Sequence, residues 1–166
     1  MAAGEEFDHR GDRAAEIVAI LKRLWTEETI EHRGRHYSFN AIRFEPKPSQ
    51  KPHPPIVFGG ETTAALRRAA TLADGWIGTS PRDPDAVRSI VKRLTDLRAD
   101  AGRVAEPFEV TIDSPSTPTV ELLHRYEDAG VHRVILRPGA KPTSRVSVDE
   151  ALVELERTAE SVLSKL

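Results

Sequence analysis

The sequence predicts an α/β fold in which short parallel strands alternate with amphipathic helices. Two observations predict it. Short apolar runs, such as IVF at 56–58 and RVIL at 133–136, suit strands of a sheet that is buried on both faces. Each run is followed by apolar residues at helical spacing, and this strand–helix order repeats four times. Four such units make either a small open sheet or half of an eight-stranded barrel, and their spacing is compatible with both.

A helix and an irregular segment precede these four units. Asp12 is the predicted N-cap of the helix, and one apolar stripe runs from Ile17 to Trp25. Periodicity is then lost over residues 26–55. IEHRGRHYSF could be a small hairpin that turns at Arg33 and Gly34, and the proline-rich EPKPSQKPHPP excludes regular structure. We interpret residues 26–55 as an excursion on the surface between two regular elements.

The first two strand–helix units lie between residues 54 and 102. PPIVFGG at 54–60 predicts a short strand, and a helix is expected over about 63–73. GWIG at 75–78 predicts the second strand, with a turn signal at Asp74 and Gly75. Asp83 as N-cap and Pro84 at the first helical position predict a helix that ends at about Ala101.

The last two units complete the chain. FEVTI at 108–112 alternates like a strand, and Thr117 with Pro118 is predicted to open the helix that Gly130 closes. HRVILRP at 132–138 is the last predicted strand. Ser147 and Glu150 predict a capping box for the final helix. The inner side of that helix is expected to carry the apolar residues Leu152, Leu155, Ala159 and Val162.

Composition narrows the classes of function. The 166 residues are enough for one domain with a hydrophobic core, which we expect to span 1–166. A net charge of −2 argues against a nucleic-acid partner, and the apolar runs are too short to cross a membrane. The acidic, polar N-terminus is neither a signal peptide nor a transit peptide. The chain has no cysteine, which excludes thiolate metal sites and a cysteine nucleophile, and a cytoplasmic location fits these features.

Two consecutive glycines, Gly59 and Gly60, follow the first of the four strands. Ligands of α/β proteins bind where parallel strands lead into helices, and the free amides of a helix N-terminus favour an anion such as a phosphate. Thr79 and Ser80 follow the next strand and would add hydroxyl donors at the same edge. The alternative is that the glycines form only a turn. Glu61 is an objection to the anion site, because a carboxylate repels a phosphate unless it points away.

Several stretches resemble the C-terminal half of the bacterial luciferase-like monooxygenase family, particularly its branch of F-420-dependent oxidoreductases. They are RGDRAAEIVAILKRLWTEE at 10–28, RGRHYSFNAIRFEPKPSQKPHPPIVFGG at 33–60 and ALRRAATLADGW at 65–76. The resemblance implies strands five to eight of a TIM-type (β/α)8 barrel. It also implies an oxidoreductase or monooxygenase that binds flavin mononucleotide (FMN) or coenzyme F-420 and acts on a small organic substrate.

In such barrels the phosphate end of the cofactor lies near the loops that follow the later strands. The resemblance therefore implies cofactor-binding roles for Gly59, Gly60, Thr79 and Ser80. Arg137, after the last strand, could reach a phosphate or a glutamate tail, or be a surface arginine. No residue is identified as a catalytic acid or base, since the cofactor carries most of the chemistry. No metal site is predicted, because His32 and His36 flank a glycine in the hairpin.

The resemblance leaves out the first four strands of the barrel. We expect a truncated form, or a chain that completes a barrel by self-association or with a partner chain, because edge strands present unpaired backbone groups and the inner face loses its packing partner. The alternative function is a non-catalytic half-barrel, either a binding module or a subunit of another protein.

Overall fold

The structure, a computed structural model, describes residues 8–78, 80, 82–114, 119–136, 147–162 and 165. An N-terminal helix and a hairpin come first, and four strand–helix units follow. None of the helices in these ranges has the length and apolar character needed to cross a membrane. In chain order the elements are α1 (Arg10–Thr26), β1 (Ile30–Arg33), β2 (Ser38–Ile42), β3 (Val57–Gly59), α2 (Thr63–Leu72), β4 (Gly75–Ile77), α3 (Pro84–Asp100), β5 (Glu109–Asp113), α4 (Val120–Asp128), β6 (Arg133–Ile135) and α5 (Val148–Ser161).

Strands β3 to β6 form one parallel sheet, and their order in the sheet is their order in the chain. Val110 and Ile112 of β5 pack with residues of α2, α3 and α4 in one hydrophobic core, so these helices cover the same face of the sheet. A doubly wound open sheet would instead have helices on both faces. Sequential strand order with helices on one side is the arrangement of half a (β/α)8 barrel.

The opposite face of the sheet is the one that was expected to lose its packing partner, and it carries polar side chains. Side chains alternate along a strand, so Glu109 and Thr111 point away from the core that Val110 enters. Glu109 accepts hydrogen bonds from Thr111 at 3.2 Å and from Arg133 of β6 at 2.9 Å. Val57 is 45% exposed. Among the described residues, edge strands β3 and β6 each pair with one neighbour.

Helix α2 lies close to the sheet because its inner face is built from small residues. Ala69, Ala70 and Ala73 are fully buried, and Leu66 is 2% exposed. Thr62 is the N-cap, and its hydroxyl accepts a hydrogen bond from the Ala65 amide at 3.2 Å. The predicted helix over about 63–73 is confirmed.

Trp76 is the largest fully buried side chain, and it lies on β4 beneath the start of α2. Its indole Nε1 donates a hydrogen bond of 2.8 Å to the carbonyl oxygen of Gly60. The hydrophobic core is therefore joined by a polar contact to the turn between β3 and α2.

Local capping chemistry was predicted correctly for two helices and wrongly for two. Asp83 caps α3, and Ser147 forms a capping box with Glu150 at the start of α5, as predicted. Asp12 is not the N-cap of α1, because the helix begins earlier, after His9 in a left-handed conformation with φ 61°. Helix α4 is capped by Thr119, whose side chain accepts from the Leu122 amide. The predicted opening at Thr117 and Pro118 is therefore wrong, and those two residues lie outside the described part of the chain.

The predicted inner side of α5 is also wrong in part. Val162 is buried as expected, but Ala159 is exposed, and Leu152 and Leu155 are 51% and 48% exposed. The helix instead buries Thr158. The apolar stripe gives the period of the helix, but it does not determine which side meets the rest of the protein.

The hairpin predicted within the surface excursion is present, and a single carboxylate fixes it to α1. Strands β1 and β2 pair antiparallel, with a turn closed by the Gly34 amide and the Tyr37 carbonyl. Glu16 of α1 accepts hydrogen bonds from His32 Nε2 at 2.9 Å and from the amides of His36 and Tyr37 at 3.0 Å. Burial acts to raise the pKa of Glu16, but these hydrogen bonds outweigh it and hold the pKa below its ordinary value.

Glu16→Gln is expected to lower the denaturation midpoint at neutral pH. The side-chain amide of glutamine would place an N–H donor against the backbone N–H donors of His36 and Tyr37. Because the pKa of Glu16 is lower in the folded state, the ionised carboxylate adds to the free energy of unfolding at pH values above its ordinary pKa of 4.5. This stabilisation is lost progressively as the pH falls below about 4.5. The difference in midpoint between wild type and variant should therefore shrink in acid. Urea unfolding followed by circular dichroism at several pH values measures this. Glu31→Gln, at an exposed site on the same hairpin, is the control, and a pH-independent difference for Glu16→Gln would contradict the assignment.

Trp76→Phe is expected to reduce the free energy of unfolding by about 2–4 kcal/mol, because it removes buried volume and the donor to the Gly60 carbonyl. The chain has two tryptophans, so Trp25→Phe, at a half-buried site on α1, is a matched control with a smaller expected loss. Urea denaturation of both variants provides the measurement. Equal losses of unfolding free energy in the two variants would show that the contact between Trp76 and the Gly60 carbonyl adds no extra stability.

Candidate functional site

The candidate site is the turn between β3 and α2, at the carboxyl edge of the sheet. Gly60 occupies this turn with φ 101°, a backbone conformation that side chains other than glycine rarely adopt. A Cβ atom at Gly60 would also lie 3.0 Å from the Cβ of Ala65 in the first turn of α2. Glycine is thus required here both by the backbone angle and by the close approach of the helix.

The start of α2 presents backbone amides whose N–H groups have no acceptor among the residues that the structure describes. The Ala65 amide is bonded to the Thr62 hydroxyl, and the Trp76 indole occupies the carbonyl of Gly60 rather than its amide. Within the part of the chain that the structure describes, the amides of Gly60, Thr63 and Ala64 donate to no protein acceptor. Thr63 and Ala64 are exposed, so their N–H groups and the positive end of the helix dipole are available to an anion from solution.

Glu61, which lies between these amides in the chain, is paired with a cation. Its Oε2 forms an ion pair with the guanidinium of Arg82, in the segment between β4 and α3. The hydrogen bond with Glu61 raises the pKa of Arg82, so the guanidinium stays charged. The objection that Glu61 would repel a phosphate is weakened, because its charge is neutralised in place.

The pair between Glu61 and Arg82 is incompletely bonded. Glu61 Oε1 and Arg82 Nε are both shielded from solvent, and neither has a hydrogen-bond partner among the described residues. Shielded polar atoms without partners are uncommon in folded proteins, because each loses its hydration without a replacement. Two such atoms therefore lie in one ion pair beside the open amides.

The structure locates three of the five predicted site residues. Gly59 is the last residue of β3 and pairs with Ile77, and Gly60 follows it in the turn. Ser80 is exposed after the end of β4, the strand next to β3. Thr79 and Arg137 lie outside the described residues. Gly60 and Ser80 thus follow neighbouring parallel strands at the same edge of the sheet.

Two arginines near the site were missed in the sequence. Arg82 pairs with Glu61, and Arg93 of α3 donates a hydrogen bond of 2.8 Å to the Thr63 hydroxyl. Arg82 could have been noticed, because it directly precedes the N-cap Asp83 in the loop that contains Ser80. No signal identifies Arg93, since it follows from how α3 lies beside α2.

A side chain of α4 contacts the loop that contains Arg82. The hydroxyl of the buried Tyr126 donates a hydrogen bond of 2.5 Å to the carbonyl oxygen of Arg82. Burial raises the pKa of Tyr126, so the phenol remains a donor at neutral pH. One hydrogen bond therefore ties the Arg82 backbone to the buried side chain of Tyr126.

The arrangement has groups that suit a negative charge rather than groups for acid–base chemistry. It combines open amides, a helix N-terminus and two guanidinium groups, which are the common ligands of phosphate. Of His32 and His36, weighed as a metal pair, only His32 contacts Glu16 through its imidazole, whereas His36 donates its backbone amide to the same carboxylate. Across the described ranges, no group of three or more His, Asp or Glu side chains is placed to hold a metal ion.

Comparison with known proteins identifies relatives of this chain. An uncharacterised protein of Mycobacterium tuberculosis is 35% identical over 166 residues, which cover 98% of this chain and 56% of that protein. The FMNH(2)-dependent dimethylsulfone monooxygenase of Pseudomonas putida is 32% identical over 109 residues, which cover 66% of this chain and 29% of the enzyme. The F420-dependent glucose-6-phosphate dehydrogenase of Microbacterium testaceum is 30% identical over 109 residues, covering 65% of this chain and 32% of the enzyme.

The fold is likewise that of a larger known enzyme. An F420-dependent secondary alcohol dehydrogenase, solved with an F420-acetone adduct, matches the structure with a TM-score of 0.71 at 12% identity. The match covers 98% of this chain and 64% of that chain. The predicted fold class, part of a (β/α)8 barrel, is thereby confirmed. This chain spans only part of the length of each of these proteins.

The sequence model described as luciferase-like monooxygenase matches residues 1–135. The match covers most of the chain, including the open amides at the start of α2 and the segment that contains Arg82. On this ground the chain belongs to the luciferase-like monooxygenase family.

Proposed function

We propose that this chain provides the phosphate-binding end of a flavin- or F-420-dependent oxidoreductase that acts on a small organic substrate. In this proposal Gly59 and Gly60 hold the cofactor phosphate, and Thr79, Ser80 and Arg137 assist. The observation that carries it is the set of open amides at Gly60, Thr63 and Ala64, which donate to no acceptor among the described residues.

The residues present suit the anionic end of either cofactor. FMN carries a phosphate monoester, and F-420 carries a phosphate diester followed by a lactyl-glutamate tail. Gly60 has no Cβ to obstruct the phosphate, while Thr63 and Ala64 supply exposed N–H groups at the positive end of α2. When bound, the cofactor supplies hydride transfer or oxygen activation, and the role of this chain is to bind and orient it.

The relatives support both cofactors. One is named as an FMNH(2)-dependent monooxygenase and another as an F420-dependent dehydrogenase, each about 30% identical to this chain over 109 residues. This similarity favours an oxidoreductase, and it does not choose between the two cofactors. The described residues contain no group that we assign as a catalytic acid or base.

A second candidate is a non-catalytic half-barrel that binds the cofactor phosphate or completes a barrel with another chain. The observation that favours it is the sheet itself, whose edge strands β3 and β6 each have one partner among the described residues. Unpaired strand edges are sites where another chain can add strands. In this proposal the chain associates with itself or with a partner chain.

Fluorescence titration of the purified chain with FMN and with F-420 tests the proposal. Binding of either, followed by turnover with a reductant, supports the oxidoreductase. Binding without turnover favours the half-barrel binding module, and no binding of either cofactor contradicts the phosphate site. Light scattering at micromolar concentration tests association, because a cooperatively folded monomer would contradict self-association.

Thr63→Pro is expected to weaken cofactor binding about tenfold or more, because it deletes one open N–H donor to a charged phosphate. Proline is favoured at the first helical position, and the preceding Thr62 already has the extended conformation that proline requires, with ψ 154°. The helix should therefore remain intact. The measurement is the dissociation constant for FMN or F-420, with circular dichroism as the check on folding.

Thr63→Ala is the matched control for Thr63→Pro. It removes the hydroxyl that Arg93 contacts but keeps the backbone amide, so affinity should stay within about twofold of wild type. If both variants lose the same affinity, the hydroxyl rather than the amide is responsible, and the amide site is wrong.

A further inference from the structure

We propose that Arg82 is a second ligand of the cofactor phosphate and that Glu61 competes with the phosphate for it. This inference rests on the proposed function and extends it. It assigns a binding role to a side chain that now forms an internal ion pair, and it assigns to Glu61 the control of affinity for anions.

The first argument is position. Glu61 lies one residue after Gly60 and two residues before Thr63, so the carboxylate that holds Arg82 belongs to the turn that carries the open amides. Consecutive Cα atoms are about 3.8 Å apart, which places the Cα of Glu61 within about 8 Å of that of Thr63. An anion on these amides would thus lie near the guanidinium of Arg82.

The second argument is the incomplete bonding of the pair. Arg82 Nε and Glu61 Oε1 are shielded from water and have no partner in the described part of the chain, so this ion pair does not use the full hydrogen-bonding capacity of either group there. A guanidinium has five N–H donors and forms its strongest contacts with two oxygens of one anion. A phosphate could provide the acceptors that Glu61 leaves unused.

The third argument is that the exchange requires only side-chain movement. The Arg82 backbone is held by the Tyr126 hydroxyl, and Gly60 is held through its carbonyl by the Trp76 indole. The Arg82 side chain is 38% exposed, so it has access to solvent on one side. Rotation about the Arg82 side-chain bonds can transfer the guanidinium from Glu61 to a bound phosphate while both loops stay in place.

The charges of Glu61 and Arg82 determine how this ion pair would affect the binding of an anion. With Arg82 on Glu61, the turn is close to neutral, and anions are held only by the amides and the helix dipole. When Arg82 moves to the phosphate, Glu61 is left as an uncompensated carboxylate that opposes binding. The repulsion is greater for the monoester of FMN than for the diester of F-420, because the monoester carries more negative charge. The Glu61 carboxylate therefore disfavours FMN more than F-420.

Four variants test this inference by titration with FMN and with riboflavin, which has the same ring but no phosphate. Glu61→Gln should bind FMN about tenfold more tightly, because Arg82 is freed for a charge-assisted contact with the phosphate. Arg82→Gln should bind FMN about tenfold more weakly, because that contact is lost. Arg82→Lys should retain part of the affinity. Glu61→Gln with Arg82→Gln should show a smaller gain over Arg82→Gln than Glu61→Gln shows over wild type. Riboflavin binding should be unchanged throughout.

Arg23→Gln and Glu27→Gln are matched controls. These residues form an Arg–Glu ion pair near the end of α1, with an arginine of similar exposure and a more exposed glutamate. Lys22, beside this pair, contacts the last residue of α2, far from the N-terminus of that helix. They make the same changes in net charge and should leave the affinity for FMN unchanged. Circular dichroism checks the folding of each variant, and Glu61→Gln and Arg82→Lys retain the test if Arg82→Gln does not fold.

The outcomes separate this inference from the proposed function. If wild type binds FMN or F-420 but Glu61→Gln does not bind FMN more tightly, the competition is wrong and the phosphate site stands. If Arg82→Gln weakens FMN and riboflavin equally, Arg82 has a structural role and the inference is overturned. If wild type and all variants bind neither FMN nor F-420, the proposed function fails and the inference fails with it.

Discussion

The close approach of α2 to the sheet is the constraint on which the rest of the structure depends. Three alanines and Leu66 form the buried side of this helix, so its axis lies near the strands. Gly60 must do without a side chain, because a Cβ there would meet Ala65. The Trp76 indole below fixes the carbonyl of Gly60. Core packing thus directs the open N–H groups toward the carboxyl edge of the sheet, where the proposed phosphate site lies.

Much of the architecture could be predicted because it is determined by local patterns. Apolar periodicity gave the order of strands and helices, and the caps at Asp83 and Ser147 follow from short-range side-chain chemistry. The turn at Gly60 was also readable, because consecutive glycines after a strand are rare without a backbone reason. Each of these features depends on residues that are close together in the chain.

Features that depend on tertiary contacts could not be predicted from these patterns. The ion pair between Glu61 and Arg82 joins two loops across neighbouring strands, and nothing in either segment specifies the other. The failure at Asp12 has a similar cause, since the chain before α1 turns at His9 through a left-handed conformation. The stripe through Leu152 gave the period of α5 but not the side that packs.

The sequential order of the sheet has a consequence for how such a fold is assembled. Each strand from β3 to β6 pairs only with its neighbour in the chain, within the described ranges, so sheet formation does not require distant ends to meet. Each parallel pairing then closes a loop of one strand–helix unit and no longer one. The turn after β3 and the loop after β4, whose residues Glu61 and Arg82 form the ion pair, therefore belong to two consecutive units of the sheet.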